Sequence, residues 1–211
     1  MATSSGPWPD PGTRAADWLV GRRRLVGAIW LGAFAGHGWG RDPTPGGFDE
    51  PAAAARRLAA GACVLMWRHA ATESGVGDPP QFDLARCDTQ RNLSDAGRAQ
   101  AQRFGQWLLE RGLRPTAVRS SAWCRCRDSA ELAFGRHVVW APLNSMFGDR
   151  VRSADPLPAL RAALAALPAP GFEVWVTHQV NISALTGAHT AMGEAVVVNR
   201  QGTIEARLLV P

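Results

Sequence analysis

From residue 51 onward the chain switches between two periods of apolar residues. Residues 63–67 (Cys-Val-Leu-Met-Trp) form a continuous apolar run bounded by Gly61 and by Arg68-His69. Residues 173–177 (Glu-Val-Trp-Val-Thr) form a second run that ends at His178. Short apolar stretches of this kind are expected as buried strands. Residues 94–111 repeat instead with a helical period: Leu93, Gly97, Ala101, Phe104 and Leu108 fall near one face, with Ser94 placed to cap the start and Gly112 to stop the helix. Pro51 opens an alanine-rich helix that Gly61 ends. Further helices are predicted over 123–134, over 157–167 before Pro168 and Pro170, and from 182 to 186. Further strands are predicted over 117–120 and 138–140, and a terminal hairpin over 194–199 and 203–209. Strands alternating with helices predict an α/β fold, a mostly parallel central sheet with helices on both faces.

The first 50 residues have a different pattern. Residues 1–12 are rich in Pro, Gly and Ser and read as disordered. Arg22, Arg23 and Arg24 precede an apolar run over 25–35, which closes on the small-x-small site Ala33-Phe34-Ala35. The run is short for a bilayer span, and the three features together make a signal peptide, closer to the twin-arginine type. The competing reading is an amphipathic or anchoring helix. The expected organisation is a signal-like or disordered segment over 1–40, a Pro/Gly linker over 41–50 and one domain over 51–211. A periplasmic or otherwise exported location follows, with a cytoplasmic one as the alternative and no stable membrane span after processing.

Composition narrows the chemistry. All basic residues are Arg, the formal net charge is +5, and the 211-residue chain is 46% hydrophobic, enough for one buried core. Without Lys, Schiff-base chemistry and the P-loop lysine are excluded, and an anion site must use guanidinium groups. The arginines are scattered and aromatics do not interleave with them, so no nucleic-acid partner is expected. Cys63, Cys87, Cys124 and Cys126 include no CxxC pair, which argues against a structural zinc site; no metal or cofactor is expected.

Three segments share one layout. Arg68-His69, Ser120 to Arg125 and Thr177-His178 each follow a strand end, and the last two lead into helices. In an open α/β sheet ligands bind beyond the carboxyl ends of the strands, so the three are expected to meet in one pocket. Two imidazoles, two guanidiniums and the amides of a helix start suit a phosphate dianion. A neutral imidazole there can attack phosphorus.

The chain resembles the histidine phosphatase superfamily. Residues 67–73 (Trp-Arg-His-Ala-Ala-Thr-Glu) are similar to its strand-RHG-x-T signature, residues 93–101 to its L-[TS]-x-x-G-x-x-Q-A helix start, residues 120–125 to its S-S-x-x-x-R, and residues 176–178 to its V-[ST]-H. The resemblance implies a phosphoglycerate-mutase-like fold. It implies His69 as nucleophile, Arg68 and Arg125 as phosphate binders, His178 as the second imidazole and Thr72 at the phosphate or substrate. Two departures stand out. Ala70 replaces the signature Gly, and Ser145 stands where many members carry a Glu. Asp149, nearest in sequence, is the first candidate for a replacement general acid, followed by Glu73, Asp83 and Glu194.

The expected activity is a metal-independent phosphatase working through a phosphohistidine on His69, acting on a small phosphorylated substrate or a phosphoprotein. The alternative is a phosphate-binding or sensing module that has lost turnover. His37, His137 and His189 read as structural or surface residues, and Trp123 as a packed aromatic. Gln90-Arg91-Asn92 reads equally as substrate contacts or turn formers. In an oxidising compartment Cys87 is expected to bridge to Cys124 or Cys126, with Cys126 preferred, while Cys63 stays a buried thiol.

Overall fold

The computed structural model describes residues 51–75, 77–145 and 155–210. The signal-like segment, the linker and Asp149 lie outside the described residues. Among the described residues six strands form one sheet: β1 (Cys63–Arg68), β2 (Ala117–Ser120), β3 (Val138–Val139), β4 (Phe172–Thr177), β5 (Glu194–Asn199) and β6 (Ile204–Leu209), in the order β3-β2-β4-β1-β5-β6. The first four strands in that order pair in parallel. The expected hairpin β5–β6 joins antiparallel at the β1 edge, so the sheet is mixed but mostly parallel. Five α-helices of the described residues accompany it: α1 (Pro51–Ala60), α2 (Asp95–Glu110), α3 (Cys124–Phe134), α4 (Leu157–Ala165) and α5 (Gln179–Thr186).

The continuous apolar run of β1 has a simple cause. Alternate side chains of a strand face opposite ways, and both faces here are covered. Cys63, Leu65 and Trp67 join Leu58 of α1, Phe104 and Leu108 of α2 and Phe134 of α3 in one core. Val64 and Met66 join Leu160 and Leu164 of α4 and Ile182 and Leu185 of α5 in the other. Each large apolar side chain fully removed from water contributes about 1.5–3 kcal/mol. Trp67 and Phe104 stack with ring centroids 4.0 Å apart, and the Trp67 indole donates to Gly193 O at 3.0 Å. The expected apolar face of α2 is the buried one, and the Ser94 hydroxyl accepts from Gly97 N.

Two glycines let α2 approach its neighbours. A Cβ on Gly97 would lie 1.9 Å from Ala71 O, and one on Gly105 would lie 2.0 Å from Ala133 O. The first contact presses α2 against the segment that follows β1, and the second draws it onto α3. Helix α5 starts at Gln179, three residues before the predicted start. Residues 179–181 lack an apolar period, but Gln179 Oε1 accepts from Thr190 N at 2.7 Å and Asn181 Nδ2 donates to Asn144 O at 2.9 Å. Tertiary hydrogen bonds thus hold a turn that periodicity does not mark. Among the described residues no helix is long and apolar enough to cross a membrane.

Candidate active site

A cavity of about 510 Å³ is lined by Arg68 and His69 after β1, Trp123 and Arg125 after β2, and His178 after β4. The three strand-end segments therefore meet. Ser145, Gln179 and Val180 complete one side, and Asp78, Pro79, Pro80, Phe82 and Arg91 of the long loop form the other.

His69 is buried, and its backbone N–H donates to Thr177 O at 3.1 Å, which ties the end of β1 to that of β4. Its Nδ1 lies 2.9 Å from Ala70 O. A carbonyl oxygen can only accept, so the proton of the neutral ring belongs on Nδ1 and Nε2 carries the lone pair. Burial, followed by the positive charge of Arg125, pushes the pKa of His69 down to about 3. The ring is neutral at pH 7, as a nucleophile must be.

His178 is buried 5.5 Å from His69, centroid to centroid. Burial first, then His69 and the arginines, push its pKa well below the ordinary value. Its Nε2 stands 2.9 Å from Ser121 Oγ and 3.5 Å from Cys126 Sγ. Arg125 lies with its guanidinium carbon 4.4 Å over the Trp123 ring and donates from Nη1 to Asp78 Oδ1 at 2.8 Å. Arg68 donates from Nη1 to Thr190 O. Burial and the charges of Arg91 and Arg125 lower the pKa of Arg68.

The motif residues hold the turn after β1 in place. Ala70 N donates to Ser129 Oγ at 3.0 Å, Ala71 N to Gln100 Oε1 at 3.0 Å, and Ser94 N to Ala71 O at 3.2 Å. The Ser, Gly and Gln of the 93–101 element thus brace the turn beside His69 without touching the cavity. Ala70 in place of Gly is fully buried; its carbonyl oxygen accepts from His69 Nδ1, and its N–H donates to Ser129 Oγ.

Other expected residues lie elsewhere. Thr72 does not line the cavity: it is buried, with its hydroxyl turned to Met192 Sδ at 3.5 Å and its backbone bridged to Leu93. Three amides leading into α3 are already used. Ala122 N donates to Asn144 Oδ1, Trp123 N to Ser121 Oγ and Cys124 N to Gln90 Oε1, so these do not point at a phosphate. Glu73 is exposed, Asp83 caps its own turn through Ala85 N, and Glu194 is paired with Arg207 and Ala191 N. Ser145 lines the cavity at the position of the missing acid.

Sequence reasoning passed over Asp78, whose carboxylate stands in the cavity lining. It also left Arg91 undecided and set Trp123 aside as packing; both line the cavity. The disulfide joins Cys87 to Cys124, with Cα atoms 5.6 Å apart, and not to the preferred Cys126. Two residues along a helix turn a side chain by about 200°, so the two cysteines face opposite ways. Cys124 faces the loop. Cys126 faces the sheet, its thiol near Thr177 O and its pKa pushed by burial to about 12. Cys63 is a buried free thiol as expected.

Residues 64–144 match the sequence profile of the histidine phosphatase superfamily (branch 1). No curated protein sequence matches the chain. Among solved structures it is similar to a protein of Escherichia coli K-12 named as an alpha-ribazole-5'-P phosphatase, at 18% identity and a TM-score of 0.50, over 71% of this chain and 96% of that one. A phosphoglycerate mutase of Thermus thermophilus aligns at 20% identity and a TM-score of 0.49, over 71% and 99%. A protein of Agrobacterium tumefaciens named as the phosphohistidine phosphatase SixA aligns at 18% and 0.47, over 70% and 97%. At 18% identity the first of these bears on the fold alone. The profile match lies across β1, α2, β2 and α3, which carry three of the four motifs, so this stretch of the chain is similar to the histidine phosphatase superfamily, branch 1.

Proposed function

We propose that this protein is a phosphatase that hydrolyses a phosphorylated substrate through a phosphohistidine on His69. One observation carries the reading: a buried, neutral imidazole has its Nδ1 proton committed to Ala70 O, and its other nitrogen is left among arginines. In the proposed reaction Nε2 attacks phosphorus and the bond to the leaving group breaks. Arg68 and Arg125 hold the non-bridging oxygens as charge builds on them, and His178 adds a further donor. Water then attacks the phosphohistidine, releasing phosphate and restoring His69. No metal is assigned a role. The Cys87–Cys124 bridge supports an oxidising compartment, in keeping with a proposed signal segment over 1–40 and export.

The competing reading, a phosphate-binding module without turnover, draws on Ser145 in place of the acid. An aryl phosphate decides between them, because an aryl leaving group departs with little protonation. The expected result is chelator-insensitive hydrolysis, with acid-labile, base-stable phosphate on His69 in briefly incubated, denatured samples. His69→Ala should abolish both label and turnover. Turnover persisting in that variant overturns the mechanism, and phosphate binding without any turnover in the parent protein establishes the module.

A further inference from the structure

The loop half of the cavity contains charges that the proposed reaction has not yet used. Arg91 lines the cavity close enough to Arg68 and His69 for its charge to lower the pKa of both. Its backbone is built into the contact that holds Arg125. Asp78 Oδ1 accepts from Arg91 N at 3.1 Å and from Arg125 Nη1 at 2.8 Å, and Arg91 O lies 3.5 Å from the same Nη1. One end of the Arg125 guanidinium is therefore fixed by the loop, and one face is fixed by Trp123. Its Nε, buried, has no hydrogen-bond partner, and the same is true of Arg68 Nε. Buried donors are ordinarily satisfied, so these two, on side chains of cavity-lining residues, call for an acceptor from a ligand.

The loop is pinned where this matters. Cys87 is bonded to Cys124, Gln90 Oε1 accepts from Cys124 N at 3.0 Å, and Asn92 Nδ2 donates to Cys87 O at 2.7 Å. Residues 87–92 and the start of α3 thus form one braced unit, with Arg91 on one side of it and Arg125 on the other.

We infer that Arg91 is a third phosphate-binding guanidinium and that Asp78 is a positioning residue, which holds Arg125 with its Nε edge toward the phosphoryl oxygens. This rests on the cavity being the phosphate site proposed above. The charges agree with it: Arg68, Arg91 and Arg125 against Asp78 leave two positive charges on the described lining, matching a terminal phosphoryl dianion. A phosphodiester, with one negative charge, would leave the site unbalanced.

Direct calorimetric binding of inorganic phosphate tests the inference apart from turnover. Arg91→Gln should weaken binding about tenfold or more, the usual loss for a hydrogen bond to a charged group. Asp78→Ala should weaken it comparably. Asp78→Asn should retain most of it, because an amide oxygen can still accept from Arg125 and from Arg91 N. Thermal unfolding of each variant identifies any that fail to fold, and Arg91→Lys, which keeps the charge without the fork, serves as the second probe of that position. Unchanged binding in both Arg91 variants overturns the role of Arg91. Tighter binding in Asp78→Ala overturns the role of Asp78, since it would make that carboxylate a competitor for Arg125. Should phosphate bind as expected while aryl phosphate is not hydrolysed, the anion site stands and the phosphatase reading fails.

Discussion

The two halves of the cavity are built by different means. The strand-end half holds Arg68, His69 and His178, which directly follow or end strands fixed by parallel pairing: Arg68 pairs with Thr177, and His69 N donates to Thr177 O. Its geometry follows from the sheet. The loop half holds Asp78, Phe82 and Arg91 on an irregular segment between β1 and α2. That segment is secured by one disulfide and a few side-chain hydrogen bonds. A sheet-borne half loses its geometry only when the fold is lost, whereas a stapled half can fail by itself.

The sharpest way to break this comparison is to remove the staple. Paired Cys87→Ser and Cys124→Ser changes open a cross-link spanning 37 residues, which chain-entropy reasoning values at about 4 kcal/mol at most. Denaturant unfolding should show a loss of that order or smaller. The decisive readout is kinetic: KM for an aryl phosphate should rise more than kcat falls, since His69 and Arg68 keep their places while Arg91 loses its own. A kcat collapse at unchanged KM would mean that the two halves are not separable.

Arg125 joins the halves, so altering it should affect both. Arg125→Lys retains a charge but loses the planar fork, the stack on Trp123 and the double contact with the loop. A loss of about 100-fold in kcat/KM is expected, by analogy with removal of a transition-state donor. A near-normal rate would place the phosphate on the strand-end half alone.

The smallest effect concerns pH and the strand-end half only. His69 and His178 titrate far lower in the folded chain than in the unfolded one, whose ordinary value is 6.5. As pH falls below 6.5, the unfolded state takes up protons that the folded state refuses. Stability should therefore be full above that value and decline as pH falls toward about 3, by up to about 1.4 kcal/mol per pH unit for each ring. His69→Asn should flatten the slope between about pH 6 and about pH 4. An unchanged slope would mean that the ring is protonated in the folded state and unfit to attack.

The amino-acid sequence by itself determined the strands and helices, and with them the strand-end half of the site. Both follow from local signals. The apolar run of 63–67 must be buried on two faces, Ser94 must cap α2, and a polar residue after a parallel strand must project beyond the sheet's carboxyl edge. Three of the four ordered motifs placed His69, Arg68, Arg125 and His178 in that region. Only the tertiary structure decided the loop half. Residues 77–92 have no period to read, and the ion pair of Asp78 with Arg125 links positions 47 apart in the chain. Nothing in either residue's neighbourhood announces the other. The choice of Cys124 over Cys126 was settled by which side of α3 meets the loop and which meets the sheet. The partner of the Thr72 hydroxyl is Met192, a residue 120 positions away. The amides of Ala122, Trp123 and Cys124, open to a ligand as far as sequence could tell, are filled by Asn144, Ser121 and Gln90. Helix ends and strand ends are set by local chemistry, but the partners of a polar group in a loop are set by what packing brings beside it.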